Sequence, residues 1–228
     1  MTCDADAPRD GPRGRADLPR GGDAGPTRRV FVGLALDAET ARTLCAAADV
    51  VFEPEAWKRH GARDLHLTLC FLGDVPVARL DPLACALRER LVGRAAPNLV
   101  VSGLGAFPDT HRPRVAWVGV AGEPRELERL AELRARCVEA VHASGIAHVD
   151  DERFVPHVTL ARPRGRRAWP ANAARFEFSR AWRPDRVRVF ESVGDGAPER
   201  YRSLCAVELT GKSGSDPQPS GAPNVVRW

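Results

Sequence analysis

Hydrophobic and polar residues follow two kinds of pattern between positions 28 and 210, and these patterns predict a succession of strands and helices. Short runs rich in β-branched and aromatic residues predict strands over 28–37, 64–73, 98–107, 114–121, 155–162, 174–182, 186–192 and 203–210. Apolar residues at helical spacing predict helices over 38–51, 78–92 and 123–144. The last three strands follow one another without an intervening helix, so the predicted fold class is α+β.

Two of the helices carry clear end signals. Asp37 is a suitable N-cap for the first helix, and Glu39 lies in its first turn, where an acidic side chain is favoured. In the third helix one face is apolar, and Gly145 follows its end. The residues of that apolar face are Leu127, Leu130, Leu133, Cys137, Val138 and Val141.

The two ends of the chain differ in composition from the middle. Residues 1–27 consist largely of Asp, Arg, Gly and Pro, and residues 211–228 resemble a linker. Such segments bury too little apolar surface to offset the entropy lost on ordering. We therefore expect a disordered extension over 1–27, one domain over 28–210 and a disordered tail over 211–228.

The middle of the chain repeats itself. The run 29–33 resembles the run 114–119, and each is followed by a predicted helix and then by a strand with the pattern His-x-Thr-Leu. These tetrapeptides are His66-Leu67-Thr68-Leu69 and His157-Val158-Thr159-Leu160. A β–α–β unit used twice predicts two lobes related by a pseudo-twofold axis. Their sheets should be mainly antiparallel and flanked by helices, with a cleft between the lobes.

Strand geometry places the polar residues of both tetrapeptides on one side. Side chains two positions apart share a face, so His66 points the same way as Thr68, and His157 the same way as Thr159. The intervening aliphatic residues face a core. One strand histidine followed by threonine is usually structural, but two copies at matching places in a repeat favour a shared site.

Two imidazoles and two hydroxyls on opposite sides of a cleft suit one kind of reaction. Because imidazole titrates near neutral pH, one ring can accept a proton while the other donates one. In-line opening of a cyclic phosphodiester needs both transfers, from water and to the departing ribose oxygen. Threonine hydroxyls can donate to the charged phosphate oxygens. This chemistry needs no metal and no cofactor, and we expect neither.

The distribution of charge favours a nucleic acid substrate. The formal net charge is only +4, but the segment 162–188 contains nine arginines against Glu177 and Asp185. We expect this segment to form a basic surface beside the second motif that attracts phosphates. Trp169 and Trp182 lie within it and are candidates for stacking on unpaired bases.

The remaining candidate ligands form no pattern. The six cysteines are scattered without a Cys-x-x-Cys pair, so we expect reduced thiols and neither a zinc site nor disulfides. The other histidines are expected on the surface or in loops, namely His60, His111, His142 and His148. No run of eighteen apolar residues and no secretory signal is present, which predicts a cytoplasmic protein without a membrane anchor. We expect a monomer.

Two longer runs carry a family resemblance. Residues 65–73 and 154–162 resemble the two signatures of the 2H phosphoesterases, in particular the RNA 2′,3′-cyclic phosphodiesterase (2′-5′ RNA ligase) family. Further similarity lies at Arg29-Val30-Phe31, Phe107-Pro108, the run 113–119, Glu191-Ser192 and Tyr201. The resemblance covers nearly all of 28–210.

The resemblance implies a bilobal fold and hydrolysis of terminal 2′,3′-cyclic phosphates of RNA, tRNA-derived ends among them, to 2′-phosphates. His66 would be the proton donor to the leaving 3′-oxygen, and His157 the proton acceptor that activates water. Thr68, Thr159 and Arg162 would bind the phosphate. Strand alternation alone puts Arg162 on the face opposite to His157.

Two other functions remain open from the sequence. The same site could act on a small cyclic nucleotide or on a cyclic phosphate of ADP-ribose. Alternatively, the protein could be a non-catalytic RNA-binding module that depends on its basic surface, in which case neither histidine would matter for binding.

Overall fold

The computed structural model describes residues 25–147, 154–194 and 199–211, and the other residues are not considered further. The strands are β1 (Thr27–Ala35), β2 (Trp57–Arg59), β3 (His66–Pro76), β4 (Leu99–Phe107), β5 (Val115–Ala121), β6 (His157–Pro163), β7 (Ser179–Trp182), β8 (Arg186–Ser192) and β9 (Tyr201–Glu208). The helices are α1 (Ala38–Val51), α2 (Leu80–Leu91) and α3 (Pro124–Ala143). The segments predicted to be disordered fall almost wholly outside the described residues, although Thr27 already belongs to β1.

Within the described ranges all nine strands belong to one antiparallel sheet. Its order is β7-β4-β5-β6-β3-β1-β8-β9, and β2 pairs with the end of β6. This order is symmetric about its centre, where β6 and β3 meet; β5 corresponds to β1, β4 to β8 and β7 to β9. The prediction of an α+β fold with two related lobes is confirmed. The lobes share one continuous sheet, joined where Leu67 pairs with Val158.

Local sequence signals set the helix ends as predicted. The carboxylate of Asp37 accepts hydrogen bonds from the backbone N–H groups of Glu39 and Thr40, at 3.1 and 2.8 Å, and so caps α1. The apolar face of α3 packs into the core, with Leu130 and Leu133 buried. Burial of this face stabilises α3 against the sheet.

Three strand predictions need correction. The strand predicted over 64–73 continues to Pro76, because β1 keeps pairing with it beyond Gly73. The strand predicted over 174–182 forms only over Ser179–Trp182, because residues 173–175 make a 3-10 turn and β4 pairs only with the later residues. The three-residue strand β2 was not predicted, since so short a run carries no alternation.

The aliphatic residues of both His-x-Thr-Leu motifs lie in the core. Leu67 and Leu69 are fully buried, and so are Val158 and Leu160. Their burial fixes which face of β3 and β6 carries the polar side chains. In the described part of the chain, no helix is both long enough and apolar enough to cross a membrane.

We expect Gly105→Ala to lower the free energy of unfolding by about 1–3 kcal/mol, the usual cost of overpacking a filled site. A Cβ at Gly105 would overlap the buried ring of Trp117 on the neighbouring strand β5. Chemical denaturation measures the change. The matched control is Gly61→Ala, where the nearest atom is 3.8 Å away and φ is −76°. Equal stability of the two variants would contradict the prediction.

Candidate active site

A β-bulge follows the threonine of the first motif. In the register between β3 and β1, Leu69 is an extra residue between Thr68 and Cys70. Leu69 and Cys70 are consequently both buried, although they are neighbours in a strand. The alternation therefore restarts one residue later, and Phe71 lies on the same side as Thr68 and lines the same cleft.

An equivalent bulge follows the threonine of the second motif. In the register between β6 and β5, Leu160 is an extra residue between Thr159 and Ala161, and both Leu160 and Ala161 are buried. The bulge brings Arg162 to the side of Thr159, where it lines the cleft. Simple alternation had placed Arg162 on the opposite face, and the bulge is the physical reason that it does not lie there.

The two motifs are neighbours across the centre of the sheet. Leu67 pairs with Val158 in an antiparallel ladder, so His66 comes opposite Thr159, and Thr68 comes opposite His157. Directly opposed residues in such a ladder have Cβ atoms about 4.5–5.5 Å apart. Each imidazole therefore lies beside the hydroxyl of the other motif.

Both lobes contribute to one cleft of about 830 Å³. It brings together the five side chains singled out from the sequence, which are His66, Thr68, His157, Thr159 and Arg162. Further lining residues are Arg29, Phe31, His60, Phe71, Phe107, Pro108, Arg114, Val115, Phe154, Val155, Ser192 and Tyr201. Three of the lining residues are arginines and none is acidic, so the cleft is suited to an anionic ligand.

Backbone carbonyl groups orient both imidazoles in the same way. His66 Nδ1 lies 2.6 Å from the carbonyl oxygen of Asp64, and His157 Nδ1 lies 2.7 Å from that of Val155. A carbonyl can only accept, so each Nδ1 carries a proton and donates. This leaves Nε2 of each ring as the nitrogen that takes up or releases a proton.

Aromatic side chains hold the rings in place. Phe31 stacks on His66 with 4.5 Å between the ring centroids, and Tyr201 meets His66 edge-on at 4.8 Å. On the other lobe, Phe107 meets His157 edge-on at 4.8 Å. These contacts restrict rotation of the imidazoles and exclude water from their faces.

Burial sets the protonation state of both rings. Together with a smaller contribution from the nearby His157, it lowers the pKa of His66 to about 4, although the hydrogen bond to the Asp64 carbonyl acts in the opposite direction. Burial likewise lowers the pKa of His157, and the positive charge of Arg162 adds to the effect. Both rings are therefore neutral near pH 7 in this structure. An anionic phosphate in the cleft would raise both pKa values, because it stabilises imidazolium.

The predicted basic surface does not exist as one patch. Arg180 on β7 and Arg186 on β8 belong to strands separated by five others in the sheet. Each also has an acidic partner, with Arg180 2.5 Å from Glu39 and Arg186 2.7 Å from Asp185. Arginines that are close in the sequence are far apart in the fold here, because the chain crosses the sheet between β7 and β8.

The two tryptophans of that segment pack inward. Trp182 is 3% exposed and belongs to the core, so its predicted role in stacking on bases is wrong. Trp169 packs edge-on against Phe52 and Trp57, with centroids 6.1 and 6.2 Å away. That packing engages its ring with the core, and it does not line the cleft.

His60 is a cleft residue that the sequence did not reveal. As predicted it lies in a loop, the one after β2, but it is only 6% exposed and lines the cleft. Its partners include Arg200, which is 140 positions away along the chain, so no local pattern could indicate the contact. His111 and His142 are exposed as predicted, and His148 lies outside the described residues.

Among the residues that the structure describes, no three His, Cys, Asp or Glu side chains gather in a way that could hold a metal ion. Five cysteines fall in the described ranges, and all five are free thiols. The polar groups available to a ligand in the cleft are thus imidazoles, hydroxyls and guanidinium groups.

Comparisons with known proteins identify the family of this chain. The model of the 2′-5′ RNA ligase superfamily matches residues 36–195. A Geobacillus stearothermophilus protein named RNA 2′,3′-cyclic phosphodiesterase is 37% identical over 158 residues, which are 65% of this chain and 46% of that protein. The chain thus spans about half the length of the first curated relatives it matches.

Solved structures resemble the fold over a larger share of their length. The crystal structure of TT0787 from Thermus thermophilus has a TM-score of 0.65 and 27% identity, and the match covers 81% of this chain and all of the other. Escherichia coli LigT, crystallised with 3′-AMP, has a TM-score of 0.59 and 25% identity over 81% of this chain and 99% of LigT. With its family model matched over most of the folded region, the chain belongs to the 2′-5′ RNA ligase superfamily.

Proposed function

We propose that the protein hydrolyses 2′,3′-cyclic phosphate ends of RNA, tRNA-derived ends among them, to 2′-phosphates. The observation that carries the proposal is the pair of imidazoles from matching strands, each with Nδ1 bonded to a backbone carbonyl, in one basic cleft. Relatives named RNA 2′,3′-cyclic phosphodiesterase support the choice of substrate. The complex of LigT with 3′-AMP shows that this structural neighbour binds a nucleotide, which supports a nucleotide substrate here.

In the proposed reaction, two proton transfers occur on opposite sides of phosphorus. Nε2 of His157 takes a proton from water as the water oxygen bonds to phosphorus. The bond from phosphorus to the 3′-oxygen breaks, and protonated His66 gives its Nε2 proton to that oxygen. The products are a 2′-phosphate and a free 3′-hydroxyl, and exchange with solvent restores the two protonation states.

The remaining polar groups stabilise the charge on the phosphate. Thr68 and Thr159 lie opposite His157 and His66 across the ladder, so their hydroxyls can donate to the non-bridging oxygens. The guanidinium of Arg162 adds a positive charge on the same side. The phosphate charge also raises the pKa of His66 and so supplies the protonated form that the reaction requires.

Imidazoles perform both proton transfers in this mechanism, so we propose that no metal and no cofactor takes part. We also propose that the protein acts as a cytoplasmic monomer.

A short RNA with a 2′,3′-cyclic phosphate end tests the activity directly, and the position of the phosphate in the product shows which oxygen left. Faster turnover of a cyclic mononucleotide than of the RNA would instead favour a small-molecule substrate.

We expect His66→Ala and His157→Ala each to lower kcat by about 10²–10⁴-fold, because each removes one proton-transfer group. Hydrolysis of the cyclic RNA end is followed in the presence of EDTA, where the wild type should keep its activity. His142→Ala, which removes an exposed imidazole, is the control. Turnover near that of the wild type in both cleft variants would reject the assignment, and loss of wild-type activity in EDTA would reject metal independence.

The pH profile should have its acid limb below the ordinary histidine pKa of 6.5. Burial lowers the pKa of His157, and the proton acceptor must be neutral to work, so activity falls only once the pH drops below that lowered pKa. The measurement is kcat/KM against pH, which reports the groups of the free enzyme. An acid limb above pH 6.5 would contradict the role given to His157.

Replacing Arg162 by Met should lower kcat/KM by about 10–100-fold, the range for one charge-assisted contact of about 1.5–3 kcal/mol. It should also move the acid limb toward higher pH, since the positive charge of Arg162 lowers the pKa of His157. Arg166→Met removes an exposed arginine four residues further along the chain and serves as the control. Equal effects of the two substitutions would show that only general charge matters.

A further inference from the structure

His60 connects the two motifs through contacts at both ends of the residue. Its backbone N–H donates to the carbonyl oxygen of Leu160 at 2.8 Å, which is the extra residue of the bulge in β6. Its ring Nε2 lies 3.1 Å from Nη1 of Arg200, at the start of β9. His60 therefore lies between the bulge of the second motif and the segment Arg200–Tyr201, whose Tyr201 contacts His66 of the first motif.

The chemistry of the partner fixes the state of this ring. A guanidinium has only donors, so Nε2 of His60 accepts from Arg200 and the proton of the ring is on Nδ1. Burial, followed by the charge of Arg200, lowers the pKa of His60 to about 3, in agreement with a neutral ring. Nδ1 is buried and has no hydrogen-bond partner within the described residues.

That unpaired donor argues against a purely structural role. An unsatisfied buried N–H costs about 1–3 kcal/mol, so an apolar side chain of similar size would be at least as stable there. His60 occupies the position at this cost. Unlike an apolar residue, His60 provides a hydrogen-bond acceptor, its Nε2, for Arg200.

The chain around Arg200 holds His66 in place. The backbone N–H of Arg200 donates to Oδ1 of Asp64 at 3.1 Å, and the carbonyl of the same Asp64 accepts the Nδ1 proton of His66. The next residue, Tyr201, meets the ring of His66 edge-on. The segment that carries Arg200 thus touches His66 from two directions, through Asp64 and through Tyr201.

We propose that His60 is a positioning residue for His66, and that it acts by accepting a hydrogen bond from Arg200 and so fixing the Arg200–Tyr201 segment. The inference rests on the proposed function, in which His66 is the proton donor. A small displacement of a group that transfers a proton lowers kcat while substrate binding is little affected.

The first test compares His60→Leu with His60→Gln. Leu keeps the site apolar and filled but removes the acceptor, whereas the amide oxygen of Gln can accept from Arg200. We expect His60→Leu to lower kcat on the cyclic RNA end by about tenfold or more, with KM changed by less than about threefold. His60→Gln should recover kcat to within about threefold of the wild type. His142→Leu is the control on an exposed histidine.

A second readout does not depend on activity. The imidazole resonances of His66, followed by NMR against pH, should move in His60→Leu and stay in place in His60→Gln and His142→Leu. If the wild type fails to hydrolyse the RNA, the proposed function fails, and the NMR titration still decides whether His60 positions His66.

A double-mutant cycle that combines His60→Leu with Arg200→Met tests whether the loss of kcat depends on the hydrogen bond to Arg200. Since both substitutions remove the same hydrogen bond, the double variant should lose no more kcat than the worse single variant. The inference is overturned if His60→Leu leaves both kcat and the His66 titration unchanged. It is equally overturned if Gln impairs kcat as much as Leu does, or if the two losses in the cycle are additive.

Discussion

The backbone pairing of Leu67 with Val158 fixes the relation between the two lobes, and the site depends on it. Both residues are fully buried, so the face that they occupy is determined by the hydrophobic core. Their neighbours, the histidines and threonines, must then point to the other face. If either strand slipped by one residue in this register, its imidazole would turn into the core and its aliphatic side chains into the cleft.

Backbone carbonyls give the two rings the same tautomer, and burial lowers the pKa of both. The carbonyl of the residue two positions earlier accepts from Nδ1 in both motifs, so the chain itself sets which nitrogen is reactive. The surrounding aromatic rings then disfavour the charged form. Both imidazoles are therefore neutral until an anion enters the cleft, and in the proposed reaction the phosphate itself would raise the pKa of the proton donor.

The sequence predicted the residues whose placement depends on local pattern. Alternation in β3 and β6 placed each histidine with its threonine, and the cap at Asp37 located α1. Alternation failed for Arg162, because a bulge depends on how the partner strand pairs and not on the strand itself. The position of His60 in the cleft was not predicted, since the contact with Arg200 joins segments that are distant in the chain.

The two bulges place different side chains at matching positions of the cleft, Phe71 on one lobe and Arg162 on the other. A cleft with identical halves would accept a phosphodiester equally well in either of two opposite orientations, and half of the encounters would be unproductive. An aromatic ring at one position and a guanidinium at the other remove that degeneracy, because the two side chains favour different chemical groups of a ligand. The duplicated unit thus has a polarity, since its two halves are not equivalent.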